Sequence, residues 1–181
     1  FCNGAFHGGI FAWLGLLLIR RYHLHDAGIG LALAGYGLPG LFFGATIGRW
    51  GDRYGRRYVV PFGFLWAAGC AFLLLPHSPR FIASLVITAL SAGFDATHPL
   101  MSSIKTSLDP KHRGQITGFA TFANFIGMGA GALFFQHLIA FGFSTALAIF
   151  ASVQTLLGFA ALYEFRRERP SRVRSAELTT A

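Results

Sequence analysis

Charge is scarce in this sequence. Only 12% of its 181 residues are Asp, Glu, Lys or Arg, where a soluble domain carries about a quarter. Acidic residues are the rarest, seven against fifteen basic ones. A soluble globule of 19.6 kDa needs a polar coat over its core, and these residues are too few to make one. Cysteine is also nearly missing. Cys2 and Cys70 cannot staple a secreted scaffold, and they form no Cys-x-x-Cys redox pair. No Walker-type phosphate loop is present, which argues against ATP-driven chemistry within the chain. No Ser-His-Asp order and no paired carboxylates suggest an enzyme, and no cofactor is implied. Residue 1 is Phe rather than Met, so the chain is expected to be a fragment, and the lack of a leader carries no information.

What the sequence does contain is apolar. Hydrophobic residues make up 54% and the mean hydropathy is +0.53. Disorder is excluded by these values. The net charge of +8 does not point to nucleic acid, because the basic residues sit in short clusters and not along one polar face. The solvent of this protein is lipid.

A spanning helix needs about 20 mostly apolar residues. Six such spans are expected, at about 1–19, 29–47, 59–75, 81–106, 114–139 and 145–165, followed by a basic tail over 166–181. Continuous apolar runs argue against a barrel, whose strands alternate over about 10 residues. Turn chemistry marks the joints: Pro76-His77-Ser78-Pro79, Asp109-Pro110 and Gly142. Short joints make neighbouring helices antiparallel. Twelve Lys and Arg fall on one side, in the joints after the second and fourth spans and in the tail, against Arg20, Arg21 and Arg80 on the other. That bias places the twelve, and both chain ends, in the cytoplasm. Tyr54, Tyr58 and Tyr163 fall near the same interface.

Gly40, Gly44 and Gly48 recur every four residues in the second span, and Gly127 and Gly131 in the fifth. Small residues at this spacing let helix backbones approach closely in lipid. Gly35-Tyr36-Gly37-Leu38-Pro39-Gly40 matches the dinucleotide fingerprint in form only, since no strand precedes it. His23-Leu24-His25-Asp26 has metal-ligand residue types, but a solvated loop without further ligands makes a poor site.

The joint after the second span reads Gly48-Arg49-Trp50-Gly51-Asp52-Arg53-Tyr54-Gly55-Arg56-Arg57. Basic residues there suit anionic headgroups. Asp52 and the flanking glycines are not explained that way. In Gly48, Asp52, Arg53, Gly55, Arg56 and Arg57 the stretch resembles the signature loop of the major facilitator superfamily, with Trp50 a minor departure. Pro110-Lys111-His112-Arg113-Gly114 is similar to the joint before the fifth helix of such a half. The resemblance implies an all-α, six-helix integral membrane bundle, one half of a twelve-helix fold. It implies a secondary active transporter, most simply proton-coupled, exporting a drug, sugar or metabolite from the plasma (bacterial inner) membrane. The fourth span lacks the arginine usual in the first half, and the fifth lacks a Gly-Pro pair, so the C-terminal half is expected and an N-terminal partner half is missing. The signature loop is then expected to act as a gating latch. The alternative is a non-transporting scaffold or receptor module.

Ionisable residues at mid-membrane cost about 2.5–3.5 kcal/mol on insertion scales and are functional candidates by default. Asp95 lies halfway along the fourth span, with His98 three residues on and Pro99 beside it. His7 in the first span, Tyr36 in the second and Asn124 in the fifth complete the set expected to handle substrate or protons. All lie on helices that, by the resemblance, line a central cavity. Gln154 on the sixth span, a lipid-facing helix in that scheme, is secondary.

Overall fold

The computed structural model describes residues 1–109 and 111–166, without the side chains of Asp52, Arg56 and Leu108. Pro110 and the expected tail from Arg167 onward lie outside the described residues. All regular elements among the described residues are helical. They are α1 (Cys2–Tyr22), α2 (Asp26–Ala34), α3 (Leu38–Tyr54), α4 (Arg56–Leu73), α5 (Arg80–Leu108), α6 (Arg113–Ile139) and α7 (Phe143–Phe165).

Among the described residues, five helical stretches are long and apolar enough to cross a bilayer: Cys2–Tyr22, Asp26–Gly51, Arg80–Ser107, Arg113–Ile139 and Phe143–Phe165. The apolar stretch Arg57–Leu73 of α4 is shorter, because arginines occupy its first turn. Seventeen residues reach about 25 Å, against a hydrocarbon layer of about 30 Å.

The second span is not one smooth helix. A 3-10 turn at Gly35–Gly37 separates α2 from α3. The sequence explains it: two glycines weaken the helix, and Pro39 suits the first turn of a new one. The stretch that mimics a nucleotide fingerprint is therefore a helix break.

Joints are tight. His23 closes α1 in the left-handed region at φ 52° and donates its N–H to the Ile19 carbonyl. Gly55 links α3 to α4 at φ 87° and Gly142 precedes α7 at φ 109°, values that L side chains adopt only with strain.

The core lies between helices, with α1 against α6 and α4 against both α5 and α7. Ile10, Leu14, Leu18, Ile87, Leu90, Phe135 and Leu147 fill one end. Val59, Val60, Phe64 and Leu100 form a smaller cluster near the Gly55 end. Glycines set the α1–α6 approach. A Cβ on Gly8 would meet Met128 Cα at 2.5 Å, and one on Gly131 would run into the main chain of Ala5. Gly127 and Gly131 thus serve as the small-residue pattern predicts. A Cβ on Gly44 or Gly48 meets nothing within 4 Å among the described residues, so within this chain neither sets a helix contact.

Candidate functional site

The five candidate residues are carried by α1, α5, α6 and the helix break. Asp95 and His98 sit on α5, where Pro99 removes a backbone donor. In helical register, the carbonyl thereby deprived of its partner is that of Asp95 itself. The Asp95 side chain turns toward the start of α3 and lies against Gly40. A Cβ on Gly40 would lie 2.9 Å from Asp95 Cγ and Oδ1 and 3.0 Å from Oδ2. Gly40 is in the first turn of α3, whose N–H groups lack helical acceptors. The carboxylate thus stands against the first turn of the broken helix, where the helix dipole favours negative charge. Its Oδ2 is buried and has no hydrogen-bond partner among the described residues.

His7 faces the same break from α1. Its ring is 3% exposed, and its Nδ1 is 2.7 Å from the Tyr36 hydroxyl. Its Nε2 is buried, with no hydrogen-bond partner among the described residues. The Phe94 ring connects the two histidines: it lies 4.5 Å from His7 and stacks on His98 at 4.9 Å. Tyr36 is within electrostatic reach of Asp95, and His7 of His98. Among the described residues no hydrogen bond or ion pair joins Asp95 to His98, which is exposed.

Asn124 belongs to a different contact. Its side chain lies against Gly4 of α1, and its Nδ2 is 3.9 Å from Met128 Sδ. The structure therefore brings His7, Tyr36, Asp95 and His98 to one region and leaves Asn124 in the α1–α6 seam.

A second polar group was not foreseen from sequence as a unit. Asn3 Nδ2 donates to Thr97 Oγ1 at 3.1 Å, and Gln154 Nε2 donates to Asn3 Oδ1 at 3.3 Å. Gln154 and Thr97 are fully buried, and Gln154 Oε1 has no hydrogen-bond partner among the described residues. Asn3 and His7 are four residues apart and share one face of α1, a spacing that could have linked them. Other hydroxyls of α5 bond back to their own helix, Thr88 to the Ser84 carbonyl and Ser91 to that of Thr88, as apolar surroundings require.

The signature loop lies at the far end of α3. Gly48 and Arg53 are on α3, Gly55 is the link, and Arg57 lies in the first turn of α4. Arg53 lies over the Tyr54 ring at 5.5 Å, and Arg57 over that of Tyr58 at 4.5 Å. Arg57 Nε is buried, with no hydrogen-bond partner among the described residues. The side chains of Asp52 and Arg56 lie outside the described residues. At the next joint on the same edge, Asp109 accepts hydrogen bonds from His112 Nδ1 at 2.7 Å and the Lys111 N–H at 2.9 Å. Together, the His112 contact first, they hold its carboxyl below the usual range.

The family model described as "Major Facilitator Superfamily" matches residues 1–180. Among curated relatives, an uncharacterized MFS-type transporter, YwfA of Bacillus subtilis (strain 168), is 28% identical over 88% of this chain and 39% of that protein. Multidrug resistance protein 1 of the same organism is 24% identical over 77% of the chain and 38% of its own length. Multidrug resistance protein 2 is 28% identical over 80% and 40% respectively. The chain spans about two fifths of the length of these relatives. No solved structure matches.

Proposed function

This chain belongs to the Major Facilitator Superfamily, and on that basis we propose that it forms one half, the C-terminal one, of a secondary active transporter working by alternating access. It is an integral membrane protein, and its all-helical fold corresponds to half of the family's architecture. In the proposed reading both ends of this half lie in the cytoplasm and the membrane is the plasma (bacterial inner) membrane. A second six-helix half completes the cavity. The cargo is a small molecule, and the multidrug resistance names of two relatives favour a drug over a sugar. Export driven by a proton gradient is the proposed energy source.

One observation carries this reading. Asp95 is a carboxyl halfway along a spanning helix, with a buried oxygen left unpartnered, set against the first turn of a broken helix. A carboxyl that changes charge there alters its hold on α3, and α3 leads into the signature loop. Protonation at Asp95 is thereby linked to movement at the gate. His98 modulates the site, while His7 and Tyr36 form its wall on α1 and the break. Asn124 supports α1 from α6. The Gly48, Asp52, Arg53, Gly55, Arg56 and Arg57 loop serves as the latch against the other half.

The test is Asp95→Asn in the full-length transporter, assayed between about pH 5.5 and about 8, around the histidine midpoint. The variant is expected to insert normally and bind cargo, and to lose gradient-driven accumulation. If Asp95 only glues helices together, as a scaffold needs, the amide keeps its hydrogen bonding. Transport and its pH dependence then stay unchanged, and Asp95 leaves the mechanism.

A further inference from the structure

Only three Lys or Arg residues mark the membrane edge opposite the signature loop: Arg20, Arg21 and Arg80. Two of them meet in one notch, a cavity of about 390 Å³ lined by Leu17, Arg20, Arg21, His23, His77 and Phe143. Four of these six residues offer N–H donors, and no carboxylate lines the space. Leu17 is buried and Phe143 half-buried, so the notch has an apolar floor beneath a nitrogen-rich mouth.

Three of the four donors are held in place, and the fourth is left free. Arg21 reaches across to the end of α4, donating to the carbonyls of Leu74 at 2.6 Å, Leu75 at 3.3 Å and Pro76 at 3.3 Å, and to Ser144 Oγ at 3.4 Å. That ties α1, α4 and α7 together at the rim. His23 is set by the left-handed turn that ends α1. The His77 ring lies 5.6 Å from that of Tyr22, at 32°. Arg20 is exposed and makes no hydrogen bond or ion pair among the described residues.

Basic residues at a helix C-terminus complement its dipole, which accounts for Arg20 and Arg21 in the last turn of α1. It does not account for His77, which comes from another joint, nor for a cavity among the four. Convergent N–H donors over an apolar floor at a bilayer edge match a phosphate oxygen cluster with a hydrocarbon tail below it. We propose that this notch binds a phosphate group, in the first instance the phosphodiester of an anionic phospholipid. Arg20 supplies the free charge, His23 and His77 direct further donors, and Leu17 and Phe143 receive the first acyl carbons. A bound lipid braces the three helices that Arg21 already joins. Basic recesses between spanning helices are suited to such headgroups.

The test uses the full-length transporter in neutral detergent, reading its thermal midpoint with added phosphatidylglycerol, diacylglycerol or inorganic phosphate. Diacylglycerol supplies the chains without the phosphate. Phosphatidylglycerol is expected to raise the midpoint, since a ligand of the native state stabilises it. The double variant Arg20→Gln, His77→Gln is expected to lose about half of that rise or more. Lys111→Gln, at an exposed joint on the opposite edge, is expected to keep it. If inorganic phosphate alone gives a rise that the double variant loses, the notch still binds phosphate, and its source is a free anion. Equal rises in the wild type and the double variant overturn the proposal. So does an equal rise with diacylglycerol, or an equal loss in Lys111→Gln.

Discussion

Gly40 is where a single methyl group meets the proposed chemistry. A Cβ there would stand 2.9 Å from the Asp95 carboxyl carbon, closer than van der Waals contact permits. Asp95 would have to leave the first turn of α3, with its carboxyl chemistry unchanged. Gly40→Ala is therefore expected to reduce gradient-driven transport about as much as Asp95→Asn, while Gly69→Ala on α4, with nothing within 4 Å of it among the described residues, serves as a comparison. Transport assays on both variants at matched abundance check this; wild-type transport by Gly40→Ala removes the contact from the mechanism. From sequence alone, Asp95 and His98 stood out because charge is rare in an apolar span. Their partners did not. The Gly40 contact depends on a helix break, and Phe94 is one of twenty phenylalanines until its ring is placed between two histidines. Asn124 was grouped with the others because its span was right, but which face it occupies depends on the rotation of α6 against α1.

At the scale of elements, the α1–α6 seam holds by close approach rather than by bulk. Ala substituted at Gly131 drives a methyl into the main chain of Ala5, which cannot swing aside as a side chain would. Overpacking of this kind costs about 1–3 kcal/mol. Gly131→Ala should lower the unfolding midpoint of the solubilised protein in a denaturing-detergent titration, whereas Gly129→Ala, with nothing within 4 Å, should not. Equal midpoints would mean that the seam opens at little cost. Tryptophan adds fixed points: Trp13 Nε1 bonds to the Ala132 carbonyl at 3.0 Å, and Trp66 Nε1 to that of Ala89 at 2.7 Å. The helices themselves were legible as apolar runs. The joints were legible from Pro, Gly and Asp. The break at Gly35–Gly37 was less so, because an uncharged run conceals a loss of regularity when hydropathy is the only guide. The four-residue glycine spacing was also ambiguous: it marks the α1–α6 seam at Gly127 and Gly131, but it finds no neighbour at Gly44 and Gly48.

For the whole molecule, the deciding fact is that several faces of the bundle end in open aromatic surface. Leu41, Phe42 and Phe43 on α3 are exposed, as are Phe119, Phe122 and Phe125 on α6. Exposed phenylalanine is ordinary where acyl chains cover it, so exposure alone does not separate lipid from a second half. The glycines do. Gly44 and Gly48 leave a bare track on α3 beside those rings, and a bare track in lipid gains most from another helix backbone. The proposed latch at Gly48–Arg57 lies at the end of that track, so the gate and the surface facing the other half belong to one helix. On this argument the proposed transport requires a pair of halves. Residues 1–181 expressed alone should insert into vesicles without gradient-driven flux, and co-expression with the partner half should restore it. Flux from the 181 residues alone would show that this half contains a complete pathway, and Asp95 would then act within a single bundle.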